Sequence, residues 1–368
     1  MSLKKRFALI VVLIIAVVLG YLLLAPVPIT PGVWNPPPSP GLTGQYQPNS
    51  RLSSIERLWL GDGHKPEDVA VDAEGKIYGG FEDGRIMVLQ PDGTQPQVFA
   101  DTHGRPLGLS FDRTGNLIVA DAIKGLLSVD RTGGVKVLAV EAEGERFGAL
   151  NDLDSGADGT IYFTEASRKF PMSQFTLDLL EHQPNGRLLA LDAQTRKART
   201  VLRDIYFANG VAVSPDQSFV LVNETGKYRV RRVWLKGPQT GQNDIFIDNL
   251  PGFPDGISSN GRDRFWLALV TQRQELFDRW LLPHPFLRKV AARLPRFLQP
   301  APQRYSFVIA LDQTGHIVDN LQNGAPNSFA QISNVVEHDH TLYFGSIGED
   351  TLGRFRLHLT GVQPQKGT

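Results

Sequence analysis

The sequence predicts an all-β chain, a six-bladed β-propeller behind an N-terminal transmembrane helix. Three observations predict it. One short phrase recurs six times, an apolar alternating strand, a turn rich in Asp, Gly or Asn, and a second apolar strand. The copies stand about one four-stranded blade apart. A charge-free apolar run fills residues 7–25.

Composition narrows the class before any element is placed. The 368 residues carry 38 Lys plus Arg against 38 Asp plus Glu, so no global field draws the chain to nucleic acid. The 36 Gly and 25 Pro, without collagen period or low complexity, demand many turns and favour short strands over long helices. The absence of cysteine excludes a disulfide scaffold, a thiolate nucleophile and Cys-ligated zinc or iron–sulfur sites.

Residues 1–6 are a basic segment containing Lys4, Lys5 and Arg6. The apolar stretch 7–25 is long enough, at about 1.5 Å per residue, to cross a hydrocarbon core of about 30 Å. A cleaved signal peptide would have a shorter apolar region and a small-x-small cleavage site, so a signal anchor is expected. The basic cluster should stay cytoplasmic, which places the rest of the chain on the extracytoplasmic side as a single-pass membrane protein. Residues 26–51, rich in proline, read as an extended stalk, and the folded body is expected over 52–368.

The six copies are VAVDAEGKIY at 69–78, LGLSFDRTGNLI at 107–118, LDSGADGTIY at 153–162, VAVSPDQSFV at 211–220, ISSNGRDRFW at 257–266 and VVEHDHTLY at 335–343. The second strands begin at Ile77, Leu117, Ile161, Phe219, Phe265 and Leu342, spaced by 40, 44, 58, 46 and 77 residues. A β-sandwich would supply short strands but not one phrase six times. The two long spacings hold insertions, one after Glu165 and one, helical and basic, over about 272–304.

Inner strands of a propeller surround its channel, so the residues entering them face one another. In register, the entering phrases are KPEDV at 65–69, RPLGL at 105–109, ALNDL at 149–153, ANGV at 208–211, FPDGI at 253–257 and QISNV at 331–335. They place Glu67, Leu107, Asn151, Asn209, Asp255 and Ser333 at equivalent positions, with Asn334 beside the last. Glu67, Asn151, Asn209 and Asp255 offer side-chain oxygen, the ligand type of a hard cation such as Ca²⁺, whose charge two carboxylates balance. The alternative makes Asn209-Gly210 and Asp255-Gly256 ordinary turn dipeptides. Recurrence at one structural position favours the metal site.

The segments TIYFTEASRKF at 160–170, NGRLLALD at 185–192, FANGVAVSP at 207–215 and LPGFPDG at 250–256 resemble the calcium-dependent six-bladed propellers related to strictosidine synthase, gluconolactonase and paraoxonase. The resemblance is strongest to the branch of adipocyte plasma membrane-associated proteins. It implies an anchored propeller whose Ca²⁺ is held by Glu67, Asn151, Asn209 and Asp255, with Asp255 also a candidate nucleophile or base. The activity implied is hydrolysis of lactones or aryl esters through a metal-polarised carbonyl. Two departures stand out. Paraoxonases have a histidine where this chain has Leu107, and plant strictosidine synthases have a blade-six glutamate where Ser333 stands. Leu107, Ser333 and Asn334 are therefore expected to face substrate without supplying that chemistry.

These residues leave three expectations for function: a membrane-anchored, calcium-dependent hydrolase of small-molecule esters or lactones, a non-catalytic calcium-stabilised propeller that binds a ligand or partner, and a condensing enzyme of the strictosidine synthase type. The cluster Glu337-His338-Asp339-His340 falls where other copies have their inter-strand turn and is expected to be a solvated turn. The blade-five insertion fits either a lid over the channel or a membrane contact. Asn223-Glu-Thr225 matches a glycosylation acceptor but falls within a strand.

Overall fold

The computed structural model describes residues 2–59, 61–295, 298–299 and 302–357. Residues 60 and 358–368 of the expected propeller, and 296–297 and 300–301 of the expected insertion, lie outside them. Helix α1, Leu3–Leu24, is long and apolar enough to cross a membrane, with a mean hydropathy of 3.2, and none of it is buried. The body is a six-bladed β-propeller built from six four-stranded antiparallel sheets. The inner strands of blades one to six are Val69–Val71, Pro106–Phe111, Ala149–Ser155, Ala208–Val213, Gly252–Ser259 and Ile332–His338.

Hydrophobic alternation explains how the blades stack. Each of six apolar clusters fills one interface between neighbouring blades, as where Tyr162, Leu188 and Ala190 of blade three meet Val211, Val213, Val220 and Val222 of blade four. Stacking around a closed ring leaves no blade with a bare face. Closure comes from Glu56–Trp59, which precedes blade one in sequence but pairs antiparallel with Thr351–Arg356 as the outermost strand of blade six.

The segment expected to be a stalk lies against the body. It has no strand or α-helix, as its prolines require, yet Ile29 and Tyr46 are buried and Trp34 packs against Tyr228 and His182. Both insertions connect the second and third strands of their blades. Blade three contributes α2, Phe175–Glu181, and blade five contributes a π-helical turn, Leu276–Leu281, and α3, Pro285–Arg293. Second strands run antiparallel to inner strands, so these links emerge at the end where the inner strands begin. That end carries the candidate site.

Candidate metal centre

Every inner strand except the first starts with a break in its ladder. Register shifts fall at Pro106/Gly108, Ala149/Leu150, Leu150/Leu153, Ala208/Val211, Gly252/Pro254, Pro254/Ile257 and Ile332/Asn334. A bulge re-aims a side chain that regular pleating would direct into the sheet. Here the affected side chains meet at the axis. One small cavity, with free space of about 10 Å³, is lined by Glu67, Asp68, Leu107, Asn151, Asp152, Asn209, Asp255, Gly256, Ser333 and Asn334. That volume suits a single water or ion. All seven positions singled out in the sequence line it.

The glycines beside these residues have a different purpose from the turn dipeptides they resemble. Gly210 and Gly256 are not among the residues with positive φ. A Cβ on Gly210 would stand 2.4 Å from Ile257 N and 2.5 Å from Asp255 O, and one on Gly256 would stand 2.6 Å from Ser333 O. Glycine lets neighbouring inner strands approach at backbone distance around the narrow axis.

A repeated brace sets where the inner strands begin. Asp121, Glu165 and Glu224 lie at or within two residues of the ends of the second strands of blades two, three and four, and all three are fully buried. They accept hydrogen bonds from the backbone N–H of Arg105, Gly148 and Tyr206, two or three residues ahead of the cavity positions. The sequence signal is an acid near the end of the apolar second strand in these three blades. In blade four, Asn223 donates to the carbonyl of Asp255 at 2.5 Å and Thr225 to that of Pro254 at 2.7 Å. Asn223 is fully buried with its amide engaged, so the folded protein offers no glycosylation acceptor there.

Two carboxylates missed in the sequence reading, Asp68 and Asp152, complete the floor. Asp68 accepts from Val69 N and Leu109 N, both at 2.6 Å, and from the Asn334 side-chain amide, tying together blades one, two and six. Asp152 accepts from Leu153 N at 2.8 Å and Val211 N at 2.9 Å. The missed signal was the acid following the marked residue in Glu67-Asp68 and Asn151-Asp152. Asn334 spends its amide on Asp68 and its oxygen on Val335 N at 2.8 Å, and Ser333 donates its hydroxyl to the Glu67 carbonyl at 2.5 Å. Two of the three residues expected to face substrate, Ser333 and Asn334, are thus engaged with blade one.

Electrostatically the cavity is short of positive charge. Burial raises Glu67, opposed by Arg105, whose Nη2 lies 3.2 Å from its carboxylate. Burial pushes Asp68 up to about 7. Asp152 is raised well above the carboxylate range by burial and then by the charge of Asp68, and Asp255 by burial and then by Glu67. No group of three or more His, Cys, Asp or Glu side chains is preformed as a metal cluster among the described residues. The set that converges mixes two amides with carboxylates, the oxygen chemistry of a hard divalent cation rather than of zinc. The residues present fit such an ion in donor type, charge and space.

The Glu337–His340 cluster sits at the opposite end. Glu337 accepts from Trp266 Nε1 at 2.7 Å and from Arg262 at 2.5 Å, while Asp339 and His340 form the turn with positive φ. A larger cleft of about 490 Å³ also opens there, between blades two and three. Its Asp112 and Asp130 are occupied by the backbone and threonine hydroxyls of their own turns.

Comparison with known proteins follows from this geometry. Residues 151–238 match the strictosidine synthase family, and residues 44–89 match the strictosidine synthase-like N-terminal family. The chain is 33% identical to the adipocyte plasma membrane-associated protein of Rattus norvegicus over 361 residues, covering 92% of this chain and 96% of that protein. The chain belongs to the strictosidine synthase-like family. This strictosidine synthase-like chain is also 37% identical to Protein STRICTOSIDINE SYNTHASE-LIKE 10 of Arabidopsis thaliana, over 79% of this chain and 85% of that one. Its propeller resembles the solved structure of a gluconolactonase from Xanthomonas campestris, with a TM-score of 0.61, 19% identity, and coverage of 90% and 99%. It also resembles the calcium-binding protein regucalcin from Agrobacterium tumefaciens, with a TM-score of 0.57, 16% identity, and coverage of 82% and 94%. At these identities the structural likeness bears on the fold alone, a six-bladed β-propeller.

Proposed function

We propose that the chain is a membrane-anchored, calcium-dependent hydrolase of esters or lactones. The observation that carries the proposal is the convergence of Glu67, Asn151, Asn209 and Asp255 on a one-ion cavity backed by Asp68 and Asp152. Three buried carboxylates and the largely shielded Glu67, all with raised pKa values, are an unfavourable arrangement that a divalent cation would relieve. Glu67, Asn151, Asn209 and Asp255 would hold Ca²⁺, which when bound supplies a Lewis acid toward a carbonyl oxygen. Leu107 lines the cavity as an apolar wall, and Asp255 would take a proton from attacking water. Water adds to the carbonyl carbon, the ester C–O bond breaks, and the alcohol leaves with a proton. In a lactone the two products remain one hydroxy acid. The gluconolactonase and regucalcin likenesses support this reading, and α1, with Lys4, Lys5 and Arg6 in its first turns, supports an anchor whose propeller is extracytoplasmic.

Full-length protein in detergent should hydrolyse phenyl acetate or simple lactones with Ca²⁺, lose that activity to chelator and regain it on re-addition. A folded protein with bound Ca²⁺ and no turnover on an ester and lactone panel would refute hydrolysis. A second reading, a non-catalytic propeller whose Ca²⁺ is structural, is favoured by one observation: the cavity lining contains no His, Lys or Tyr. It predicts that Asp255→Ala lowers the melting temperature with Ca²⁺ present while no activity exists to lose. Condensation is unsupported, because blade six brings only Ser333 and Asn334 to the cavity and neither is an acid.

A further inference from the structure

We propose that the cavity end of the propeller docks on the bilayer, with the blade-five insertion as its interfacial platform. The exit of α1 is fixed to that insertion. Arg293, the last residue of α3, donates through Nε to the carbonyl of Ala25 at 2.7 Å and through Nη1 to that of Leu22 at 2.8 Å. These are carbonyls that a helix C-terminus leaves unpaired, and a guanidinium is their favoured partner. A few residues on, the chain is clamped again. Ile29 is buried against Phe170, Leu180, Leu281 and Ala291, joining both insertions. The fully buried Arg288 donates to the carbonyls of Leu180, Glu181 and Gly32. No slack remains between the end of the apolar span and the insertions, so the body cannot stand away from the surface that α1 enters.

Exposed aromatic residues are distributed to match. Outside α1, the exposed Phe and Trp side chains among the described residues are Trp59, Phe175, Trp280 and Phe286. Phe175, Trp280 and Phe286 belong to the two insertions, and Trp59 pairs with Thr351, just after the second-to-third strand link of blade six. All four therefore lie at the cavity end. α3 buries Arg288 and Ala291 and turns Phe286 and Leu287 outward, with Trp280 58% exposed beside them. Arg279 is exposed on the same insertion, where it pairs with Glu275 one turn earlier. Exposed aromatic and apolar side chains at the end of a membrane span suit the headgroup region of a bilayer, where an ion pair such as Arg279–Glu275 stays hydrated. The occupant of this face is lipid. Resting on the hydrolase reading, the substrates would be amphiphilic esters presented by the leaflet.

The test uses full-length protein in phosphatidylcholine vesicles, with and without brominated acyl chains. Brominated lipid should quench tryptophan emission, and Trp280→Phe should remove roughly half of the quenched intensity, Trp59 accounting for much of the rest. Phe286→Ser with Leu287→Ser, both at exposed positions, should reduce quenching of the native Trp280. Lipid quenching unchanged by Trp280→Phe overturns the proposal. So does a Trp280 signal shielded from acrylamide but untouched by brominated lipid, the result expected of a lid or a second copy. The serine variant should lower turnover of a vesicle-embedded ester severalfold and leave soluble phenyl acetate turnover unchanged. Absence of both activities would count against hydrolysis while the quenching result still decides docking.

Discussion

Replacing Gly210 distinguishes close approach from turn formation at the cavity. A Cβ there would lie 2.4 Å from Ile257 N, 2.5 Å from Asp255 O and 2.7 Å from Gly256 Cα. Non-bonded contacts of this kind are comfortable at about 3.5 Å, so the inner strands of blades four and five must separate by roughly 1 Å. All three neighbours are backbone atoms, and no rotamer change relieves the clash. Overpacking typically costs about 1–3 kcal/mol. With three backbone contacts Gly210→Ala should reach the upper end, about 3 kcal/mol, or a fall in melting temperature of roughly 6–12 °C. Gly241 is the control, with open space around its Cβ position but a φ of +81°. Gly241→Ala should lose only the conformational term of about 1 kcal/mol. The assay is thermal unfolding of the full-length variants in one detergent, followed by calcium titration calorimetry of those that fold. If Gly210 served a left-handed turn, Gly210→Asn would be the mildest change, because Asn tolerates positive φ. Close approach predicts the reverse, with Asn worse than Ala. Gly210→Asn melting near the parent would refute the reasoning.

Further outcomes follow from single contacts. Arg105→Leu frees Glu67 from its ion pair and should raise calcium affinity about tenfold in calorimetry, equivalent to about 1.4 kcal/mol. Arg288→Met removes the side-chain donor to the carbonyls of Leu180, Glu181 and Gly32, of which Glu181 O keeps only Gly32 N, and should cost about 2–4 kcal/mol, with residues 26–40 becoming sensitive to limited proteolysis. His182, stacked on Trp34 and bonded through Nε2 to Gly226 O at 2.8 Å, is held down to about 3 by burial and then by the charge of Lys227. The unfolded chain therefore takes up a proton near pH 6.5 that the folded state refuses, so this contribution is present above pH 6.5 and lost as pH falls toward 3. His182→Gln should flatten the fall in melting temperature between pH 7 and pH 5, and an unchanged slope would exclude His182 as its source.

The candidate site was legible to the extent that one blade repeats another. Glu67, Asn151, Asn209 and Asp255 were found because the same strand entry recurs, and the recurrence fixes register. Asp68 and Asp152 escaped because each stands one residue past the marked position, where regular alternation would turn it away from the axis. In blade three the bulge between Leu150 and Leu153 cancels that alternation, and in blade one Asp68 stands just ahead of the paired strand, where no alternation applies. Asn209-Gly210 and Asp255-Gly256 read locally as turns, and their reason for glycine lies on the adjacent blade. The expected stalk failed for a similar reason. Prolines exclude helix and sheet, but they do not prevent an extended strap from packing, and the partners of Ile29 and Trp34 lie more than a hundred residues away.

By itself the sequence determined the six blades, the oxygen-donor ring and the apolar N-terminal span, because each is written in local periodicity and composition. Only the tertiary structure decided that the strand before blade one closes blade six, that Arg293 and Arg288 fasten the span and strap to the insertions, and that the exposed aromatics gather at the cavity end. These features are pairings between residues remote in the chain, and one-dimensional pattern holds no information on which distant partner a backbone carbonyl or an apolar face will meet.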